Sequence, residues 1–438
     1  MKRRHFLGNL AVSGAAAGLI AKPVSAADKV TVGLMGCGGR GNVLLQLFGK
    51  RPDIEVKYLC DVDESKFGRV AATADEVIGK VPKRVTDFRH ILDDPEVDVL
   101  ISATPDHWHG LSTVLACQAG KHVYVEKPVS HNVWEGRKMV EAARKYNRVV
   151  QGGMQNRSSD YVRHAVEFVQ YGKLGHVHQC RVVEMLYSKA NYNDLKTIPM
   201  PDGLSWDIYC GPAPLGGDFK GTRINRMNWD FTAGPIIDDG IHQLDCARWI
   251  LGVKYPNAVH STGGNYVRKD GRDHPDSQIF SWEYPDMLLS MHGSIATPYI
   301  IKTPTASRYG DEFPDWLFNS TRVEVYGTDG MMIFARHGGG WKVFGPDGGE
   351  VASEHGRHQE DEHVENFVQC VRSGARPNCD IEEGHISAAL GHIGNISYRL
   401  GHRQLQFDGK REQFINDDEA NGLIKRNYRQ PWVIPEDV

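Results

Sequence analysis

The sequence predicts a two-domain protein in which a doubly wound α/β domain precedes an α+β domain with a large, mostly antiparallel open sheet. Two observations carry this prediction. From residue 30 to residue 152, β-branched apolar runs alternate strictly with segments of helical spacing, which indicates a parallel sheet. After Gln155 this rhythm ends, and segments with a two-residue hydrophobic period follow, as in antiparallel strands with one exposed face.

These patterns divide the chain into an export signal at 1–26, a nucleotide-binding domain at 28–153, an α+β domain at 154–402 and a C-terminal arm at 403–438. The 438 residues suffice for two to three domains with full cores. The end of the arm is polar apart from a few residues such as Tyr428 and Trp432. We expect it to lie over the first domain or a neighbouring subunit rather than inside a core.

The composition excludes two classes of partner. The formal net charge is −4, and no basic run interleaved with aromatic residues occurs, so nucleic acid is not expected. No apolar run reaches the roughly 18–20 residues that span a bilayer, so we expect no membrane-spanning body. The eight cysteines form no CxxC pair and show no metal-ligand spacing. Buried free thiols are favoured, although a disulfide stays open.

The N-terminus resembles an export signal. Paired arginines, Arg3 and Arg4, precede Phe6 and Leu7 and an Ala/Gly-rich stretch that ends in the small-residue sequence at 24–26. This pattern resembles a twin-arginine signal, a route that carries folded proteins, and predicts a periplasmic location with the twin-arginine export machinery as a partner. An ordinary secretory signal or an uncleaved anchor is the alternative.

The first strand leads into a turn with glycines at its first, third and sixth positions, Gly36, Gly38 and Gly41. Gly36 permits the turn, Gly38 permits the close approach of a phosphate, and Gly41 permits helix–strand packing. The helix N-terminus then presents N–H groups and a positive dipole end to the anion. Because glycine-rich turns are common, the motif alone is weak evidence, and its context decides the interpretation.

That context begins with Asp61, which ends the second strand 25 residues after Gly36. A dinucleotide-binding Rossmann fold uses a carboxylate here to bind the adenosine ribose, and the same charge repels a 2′-phosphate. We therefore predict NAD as the cofactor, in preference to NADP. A strand-end turn is the structural alternative, since Asp63 and Glu64 are also acidic.

Further candidates follow two more predicted strands, at 97–103 and 122–125. Ligands bind at this edge of doubly wound sheets. These candidates include His107 and His109, for which pocket-wall or surface positions are favoured over a metal site, because no third metal ligand lies nearby. Two more residues of the glycine turn, Gly39 and Arg40, are also candidates. Besides Gly36, Gly38, Gly41 and Asp61, we therefore predict that the following residues bind the cofactor: Gly39, Arg40, Thr104, Pro105, His107, His109, Glu126, Lys127 and Pro128.

In the second half, a predicted helix at 238–251 places Asp238, His242 and Asp245 on one face. An acid one turn before a histidine can orient the imidazole and set its proton affinity. A capped helix start with a structural histidine is the alternative. The other expected elements are strands at 177–186, 260–266, 277–284, 287–295 and 321–327 and helices at 362–371 and 385–400 that cover the sheet.

Taken together, these segments resemble the Gfo/Idh/MocA family of oxidoreductases over residues 30 to about 400. The resemblance rests on GCGGRG at 36–41, CDVD at 60–63, ATPDHWH at 103–109, GKHVYVEKP at 120–128 and GPIIDDGIHQLD at 234–245. The Glu-Lys-Pro and Asp-x-Gly-x-His-x-x-Asp elements are the specific part. Many relatives carry paired glycines before this helix, whereas the chain has Ala233 and Gly234 followed by Pro235, which leaves the local loop and the substrate open.

The resemblance implies roles for individual residues. Lys127 would lie beside the nicotinamide and the substrate, before a cis Pro128, where partial desolvation would lower its pKa. His242 would act as the acid/base on the reacting hydroxyl, and Asp238 would bind that hydroxyl or its neighbour. Arg157 is a candidate for binding substrate hydroxyl or carboxylate groups, with a surface salt bridge as an equal alternative. In the family, the exposed face of the sheet in the second domain often makes contacts between subunits, so the resemblance implies a homo-oligomer.

The function implied is NAD(P)-dependent oxidation or reduction at a hydroxyl of a sugar, glycoside or cyclitol. Export makes a tightly held, self-recycled cofactor necessary, since free NAD is scarce outside the cytoplasm. An NAD-dependent glycoside hydrolase that works through a transient keto-sugar and elimination is the first alternative. A glycosidase with two carboxylates is disfavoured, because no paired acids stand out. A non-catalytic nucleotide- or sugar-binding protein is the second alternative, against which Lys127, Asp238 and His242 argue together.

Overall fold

The computed structural model describes residues 29–187, 198–215, 219, 221 and 228–438. The predicted export signal at 1–26 lies outside these residues. Two sheets organise the rest, one of six strands and one of ten. Among the helices in the described ranges, none has the length and apolar character needed to cross a bilayer.

The first sheet is parallel throughout and has the strand order β3-β2-β1-β4-β5-β6, the order of a Rossmann fold. Its buried strands are continuous apolar runs, as expected for a sheet covered on both faces. Its elements are β1 Val30–Met35, α1 Gly39–Gly49, β2 Ile54–Cys60, α2 Phe67–Ile78, β3 Lys83–Val85, α3 Arg89–Leu92, β4 Val99–Ser102, α4 His109–Gln118, β5 His122–Val125, α5 Val133–Lys145 and β6 Val150–Gly152.

The second sheet has the order β14-β13-β12-β11-β7-β10-β9-β8-β15-β16, and only its β7–β10 pair is parallel. This confirms the predicted fold class. Its strands are β7 Val177–Met185, β8 Ala258–Gly264, β9 Ser277–Glu283, β10 Leu288–Ser294, β11 Thr321–Gly327, β12 Met331–Ala335, β13 Trp341–Phe344, β14 Glu350–Glu354, β15 Leu405–Asp408 and β16 Gln413–Phe414. Its helices are α6 Asp160–Gln170, α7 Trp206–Cys210, α8 Pro235–Leu251, α9 Thr305–Arg308, α10 Asp361–Ser373, α11 Ile381–Arg399 and α12 Asp418–Asn421.

Two of these helices bind the domains together. Helix α11 is buried along most of its length, because it packs on α5 of the first domain and on α8 and β8 of the second. Helix α10 instead returns to the first domain, where Phe367 contacts the rings of Phe48 and Tyr124. The expectation that both helices cover the second sheet is therefore wrong for α10.

The C-terminal tail also differs from expectation. Strand β15 extends the ten-stranded sheet, and Leu405, Phe407 and Ile434 are buried. Beyond it, the tail does lie on the first domain, where the Trp432 ring packs edge-on against Trp108 at 5.3 Å. Part of the tail therefore belongs to the hydrophobic core. Its polar composition did not predict this, because the few apolar residues are buried by contacts with distant parts of the chain.

A short bridge from the second domain reaches the loop after β2. The carbonyl of Gly203 accepts a hydrogen bond from the Glu64 N–H at 3.0 Å, and the Ser205 N–H donates to the carbonyl of Val62 at 2.9 Å. We call these residues the 203–205 bridge. It leads directly into α7, so both lie beside the carboxyl edge of the first sheet.

Candidate active site

A cleft of about 730 Å³ lies at the carboxyl edge of the parallel sheet. The first domain contributes the glycine turn and the ends of β2, β4 and β5, and the second domain contributes Ile208, Tyr209 and Asp238. Ligand sites of doubly wound folds occupy this position. Of the sequence candidates, the cleft is lined by Gly36, Gly38, Gly39, Arg40, Asp61, Thr104, Pro105, Glu126, Lys127 and Asp238.

The glycine turn has the shape of a phosphate cradle. Gly36 has φ +96°, and a Cβ there would lie 2.6 Å from the Ala103 carbonyl oxygen. A Cβ on Gly41 would lie 1.8 Å from the Gly36 oxygen, so Gly41 serves packing inside the turn. Gly38 and Gly39 instead face open space. Helix α1 begins at Gly39 without a side-chain cap or an acidic first turn, which leaves its N–H groups for an anion.

Asp61 anchors the same region. Its carboxylate accepts hydrogen bonds from the backbone N–H groups of Cys37, at 2.7 Å, and Asp63, at 2.9 Å. Burial raises the pKa of Asp61. Because the carboxylate lines the cleft next to the glycine turn, a dinucleotide with free ribose hydroxyls fits the donor and acceptor set of this end.

Lys127 is held across the domain boundary. Its ammonium donates to the backbone carbonyl of Asp238 at 2.6 Å and to the carboxylate of Asp238 at 2.9 Å. Burial alone would lower the pKa of Lys127, but the negative charges of Asp238 and Asp239 raise it by more, so the pKa lies above its usual value. The expectation of a lowered pKa is therefore wrong: the paired carboxylates outweigh desolvation and keep the ammonium charged.

His242 lies one helical turn beyond Asp238 on α8. Its side chain is 7% exposed, and its Nδ1 has no hydrogen-bond partner among the described residues. Burial, followed by the positive charges of Arg336 and Lys127, holds the pKa of His242 well below its usual range. The imidazole is neutral at pH 7, which is the form that can accept a proton. His242 does not line the cleft described above, whereas Asp238, one helical turn earlier, does.

Two predicted residues, His107 and His109, are engaged in packing instead. The ring of His107 is fully buried and donates through Nε2 to the Tyr209 carbonyl at 2.8 Å, while burial lowers its pKa to about 3. The ring nitrogens of His109 lie 2.6 Å and 2.9 Å from the carbonyl oxygens of Pro128 and Thr104. His109 thereby joins the β4 and β5 ends beside the cis Lys127–Pro128 bond.

Arg157 is placed away from the cleft. Its guanidinium binds the Asp245 carboxylate at 2.8–3.0 Å, and the two side chains are 4% and 1% exposed. Arg157 therefore does form a salt bridge, but the bridge is buried, so the prediction that it lies at the surface is wrong. Asp245 consequently faces Arg157, whereas Asp238, seven residues earlier on α8, faces Lys127.

Sequence reasoning missed several charged residues around His242. Asp239 lies 3.0 Å from Arg336 and 2.8 Å from Lys302, and Glu360 binds Arg40 at 2.8 Å. Arg40 also binds Glu126 at 2.7 Å. The two adjacent acids at 238–239 were the one sequence signal that could have pointed to Asp239. Its partners, Lys302 and Arg336, lie far away in the sequence, so no local pattern predicts the contact. Within the described ranges, no group of three or more His, Cys, Asp or Glu residues could hold a metal ion.

Comparison with known proteins agrees with this geometry. Residues 30–154 match the model of an oxidoreductase family with an NAD-binding Rossmann fold. Residues 211–333 match the Gfo/Idh/MocA C-terminal domain, and residues 341–434 match the C-terminal alpha/beta domain of the oxidoreductase family. The chain belongs to the Gfo/Idh/MocA family. The glycine turn and the strand ends that line the cleft of this Gfo/Idh/MocA protein thus belong to an NAD-binding Rossmann domain.

Individual relatives are distant. A myo-inositol 2-dehydrogenase of Thermotoga maritima is 22% identical over 84% of the chain and 95% of its own length. A glycosyl hydrolase family 109 protein of Saccharopolyspora erythraea is 29% identical over 46% of the chain and 47% of its own length. A solved levoglucosan dehydrogenase in complex with NADH and levoglucosan covers 86% of the chain and 99% of its own length, with a TM-score of 0.64 and 19% identity. Several alignments span about half to two thirds of the relatives' length.

Proposed function

We propose that this protein is an NAD-dependent oxidoreductase that acts on a hydroxyl of a sugar, glycoside or cyclitol and retains its cofactor between turnovers. The observation that carries the proposal is the Lys127–Asp238 pair, which joins the nucleotide cleft to the buried His242. An inositol dehydrogenase and a levoglucosan dehydrogenase among the similar proteins support the substrate class.

The residues divide the chemistry between them. Bound NAD would supply a hydride acceptor for the carbon that bears the hydroxyl. The neutral imidazole of His242 accepts the hydroxyl proton, since nothing in the described structure occupies its Nδ1. Lys127 and Asp238 orient the hydroxyl, and the ammonium stabilises developing negative charge on its oxygen. Enclosure between the two domains excludes water from this step.

Retention of the cofactor follows from the proposed location. The N-terminal pattern supports export of the folded protein to the periplasm, where little free NAD is available. A cofactor carried out with the protein must be regenerated within each cycle, either by reduction of a second sugar or by reversal of the first oxidation. The 203–205 bridge supports retention, because it links the second domain to the loop beside Asp61.

The test begins with the native protein. We expect denaturation after extensive dialysis to release NAD or NADH in a one-to-one ratio with protein. A sugar and cyclitol panel should then reveal turnover that His242→Gln abolishes while nucleotide content is unchanged. Turnover that survives His242→Gln would contradict the assigned role. Ligand binding without turnover of any compound would favour a non-catalytic binding protein.

A second candidate function is an NAD-dependent glycoside hydrolase, favoured by the similarity to a glycosyl hydrolase family 109 protein. A transient ketone acidifies the neighbouring C–H bond and permits elimination of the glycosidic group, after which the ketone is reduced again. Aglycone release without net change in NADH, accompanied by solvent deuterium at the neighbouring carbon, would identify this reaction. Accumulation of a keto-sugar with an intact glycosidic bond would identify the dehydrogenase.

We also propose that the protein is a homo-oligomer. Apolar side chains on the outer face of the ten-stranded sheet, such as Ile279 and Leu288, are 43% and 37% exposed. Such a patch favours association with a second copy. Light scattering measures the mass directly, and a monomer at micromolar concentration would contradict the proposal. Cell fractionation, with Arg3→Lys and Arg4→Lys as the blocked variant, tests the periplasmic location.

A further inference from the structure

A group of basic side chains lies next to Asp239 and His242 of α8. It consists of Lys302, Arg308 and Arg336 with the imidazoles of His337 and His358, and we call it the basic cluster. The rings of His337 and His358 are 5.6 Å apart. These residues come from three segments distant in sequence, none of which the chemistry above uses.

Arg336 is fixed at the centre of this cluster. Its side chain is 3% exposed, and its Nε donates to the Gln243 side chain at 3.0 Å. Its Nη2 lies 3.0 Å from the Asp239 carboxylate but forms no aligned hydrogen bond with a residue that the structure describes. A buried guanidinium nitrogen without an aligned acceptor is costly unless a further acceptor arrives.

Arg308 has no carboxylate partner among the described residues. Its Nε is buried and has no hydrogen-bond acceptor in the described part of the chain, and its guanidinium lies 5.5 Å from the centroid of the Tyr309 ring. The neighbouring imidazole of His358 also has a buried Nδ1 that no described residue contacts by a hydrogen bond. A half-buried guanidinium without a carboxylate partner among the described residues favours the binding of an anionic ligand.

Acidic groups do not balance the cluster. Asp239 is shared between Lys302 and Arg336, whose positive charges keep its pKa well below the usual range. Glu184 lies on the same side, but burial, together with the charge of Asp239, raises its pKa well above the usual range. Glu360 lies 4.0 Å from the His358 ring, but its carboxylate is bound to Arg40 at 2.8 Å. Among the described residues, Asp239 is thus the carboxylate that pairs with Lys302 and Arg336, and Arg308 adds a further positive charge.

The cluster is also close to the reacting group. Asp239, His242 and Gln243 lie within one turn of α8, and Arg336 contacts both Asp239 and Gln243. Lys302 is 40% exposed, which gives the cluster an open side. A sugar whose hydroxyl meets His242 would therefore present a neighbouring substituent to these cations.

We propose that the substrate carries an anionic oxygen group, a carboxylate, sulfate or phosphate, which binds the basic cluster while His242 acts on a hydroxyl of the same sugar. This rests on the proposed oxidoreductase function. The cluster then selects anionic sugars, since an uncharged analogue leaves the Arg308 guanidinium without a counter-charge.

Matched ligands test the inference on the full-length, nucleotide-loaded protein. Binding is measured by calorimetry for methyl glucoside, methyl glucuronide, glucose 6-sulfate and glucose 6-phosphate, and turnover is measured in parallel. We expect one anionic ligand to bind at least thirtyfold more tightly than methyl glucoside, and which one does so distinguishes the anion. Equal binding of the neutral and all anionic ligands would overturn the inference.

Variants locate the site. Arg308→Gln is expected to weaken binding of the preferred anion at least tenfold and to change binding of methyl glucoside less than threefold. Lys302→Met should act in the same direction and replaces Arg308→Gln if that variant unfolds. Arg411→Gln, whose native side chain is 79% exposed, is the control. Equal losses for charged and neutral ligands would contradict the site. Anion binding at Arg308 without turnover would instead contradict the oxidoreductase function alone.

Discussion

The Lys127 ammonium is positioned by two oxygens of Asp238, one from the backbone and one from the side chain. This arrangement fixes a positive charge at the border between the nucleotide cleft and the second domain. A fixed cation can stabilise an alkoxide, whereas a neutral amine would have competed with His242 for the proton. The raised pKa therefore separates the two roles: Lys127 supplies charge and His242 moves the proton.

The first prediction concerns Lys127→Met, which keeps the length of the side chain and removes its charge. We expect kcat/KM to fall about a thousandfold, because both orientation and charge stabilisation are lost. Nucleotide content after denaturation should stay within twofold of the parent protein. Lys173→Met, at an exposed position, is the matched control. A variant with near-normal kcat/KM would show that Lys127 is structural.

The second prediction concerns the pH profile of kcat. Because the pKa of His242 is held below its usual value of 6.5, the base form exists at lower pH than for an exposed histidine. Activity should rise with pH through a midpoint below 6.5 and stay level above it. The His242→Gln variant should lose this acid limb along with most of its activity. A midpoint above 6.5 in the parent protein would contradict a buried, neutral base.

At the scale of elements, the glycine turn separates folding from binding. Gly38 and Gly41 are three residues apart at the start of α1 and face different surroundings. A methyl group at Gly38 meets no atom of the described residues within 4 Å and enters the cleft, whereas one at Gly41 collides with the Gly36 carbonyl. One motif therefore contains a residue needed for the ligand and another needed for the turn itself.

The third prediction uses this contrast. Gly38→Ala should fold with a melting temperature within about 2 °C of the nucleotide-free parent but retain less than a tenth of its NAD. Gly41→Ala should instead lose soluble protein or unfold several degrees lower, since the backbone of the turn must move. Thermal unfolding and nucleotide analysis of both variants check this. Equal behaviour of the two would mean that the open space at Gly38 does not receive phosphate.

The C-terminal tail provides the fourth prediction. The Arg426 Nε lies 2.9 Å from the carboxylate of Glu135, which is fully buried on α5. Arg426→Met leaves that carboxylate without its cation, so the free energy of unfolding should fall by about 3–5 kcal/mol. Urea unfolding measures the change. Arg426→Met with Glu135→Gln should recover part of it, and no recovery would show that the charge pair is not responsible.

Some of this structure was readable from local sequence. Hydrophobic period and glycine placement predict β1 and α1 and place the strands β7 to β11 nearly to their ends, because those signals depend on a few neighbouring residues. Helix α1 begins at Gly39, three residues before the predicted start at Asn42. Strands β12 to β14 were missed, since their short, glycine-separated runs show little alternation. Pairs such as Arg157–Asp245 and Arg40–Glu360 join residues far apart in sequence, and no local pattern determines them.

At the scale of the whole molecule, buried histidines set the response to acid. Burial is the first cause that lowers the pKa of His107 and His358 to about 3 and of His122, His363 and His392 to about 4. Below pH 6.5 the unfolded chain binds protons at these positions and the native protein does not, so stability falls as pH falls. The loss extends from about pH 6.5 down to the native pKa values.

The fifth prediction is therefore a marked loss of stability in mild acid. Between pH 6.5 and pH 5, each such histidine should lower the free energy of unfolding by roughly 1–2 kcal/mol. Urea unfolding at pH 7.5, 6.5 and 5 measures the slope. His392→Gln should reduce it, and His90→Gln, at an exposed position, should not. Constant stability over this range would contradict neutral, buried imidazoles.

The 203–205 bridge, finally, should affect how fast a bound nucleotide dissociates rather than how tightly it binds. Its hydrogen bonds attach α7 to the loop after β2 at the Asp61 end of the cleft, so we expect a bound dinucleotide to depart when the bridge opens and not simply when its own contacts loosen. The residence time of the nucleotide would then equal the waiting time of a local unfolding event. Amide hydrogen exchange at Glu64 and Ser205 would report that waiting time directly, because the same opening exposes their N–H groups to solvent.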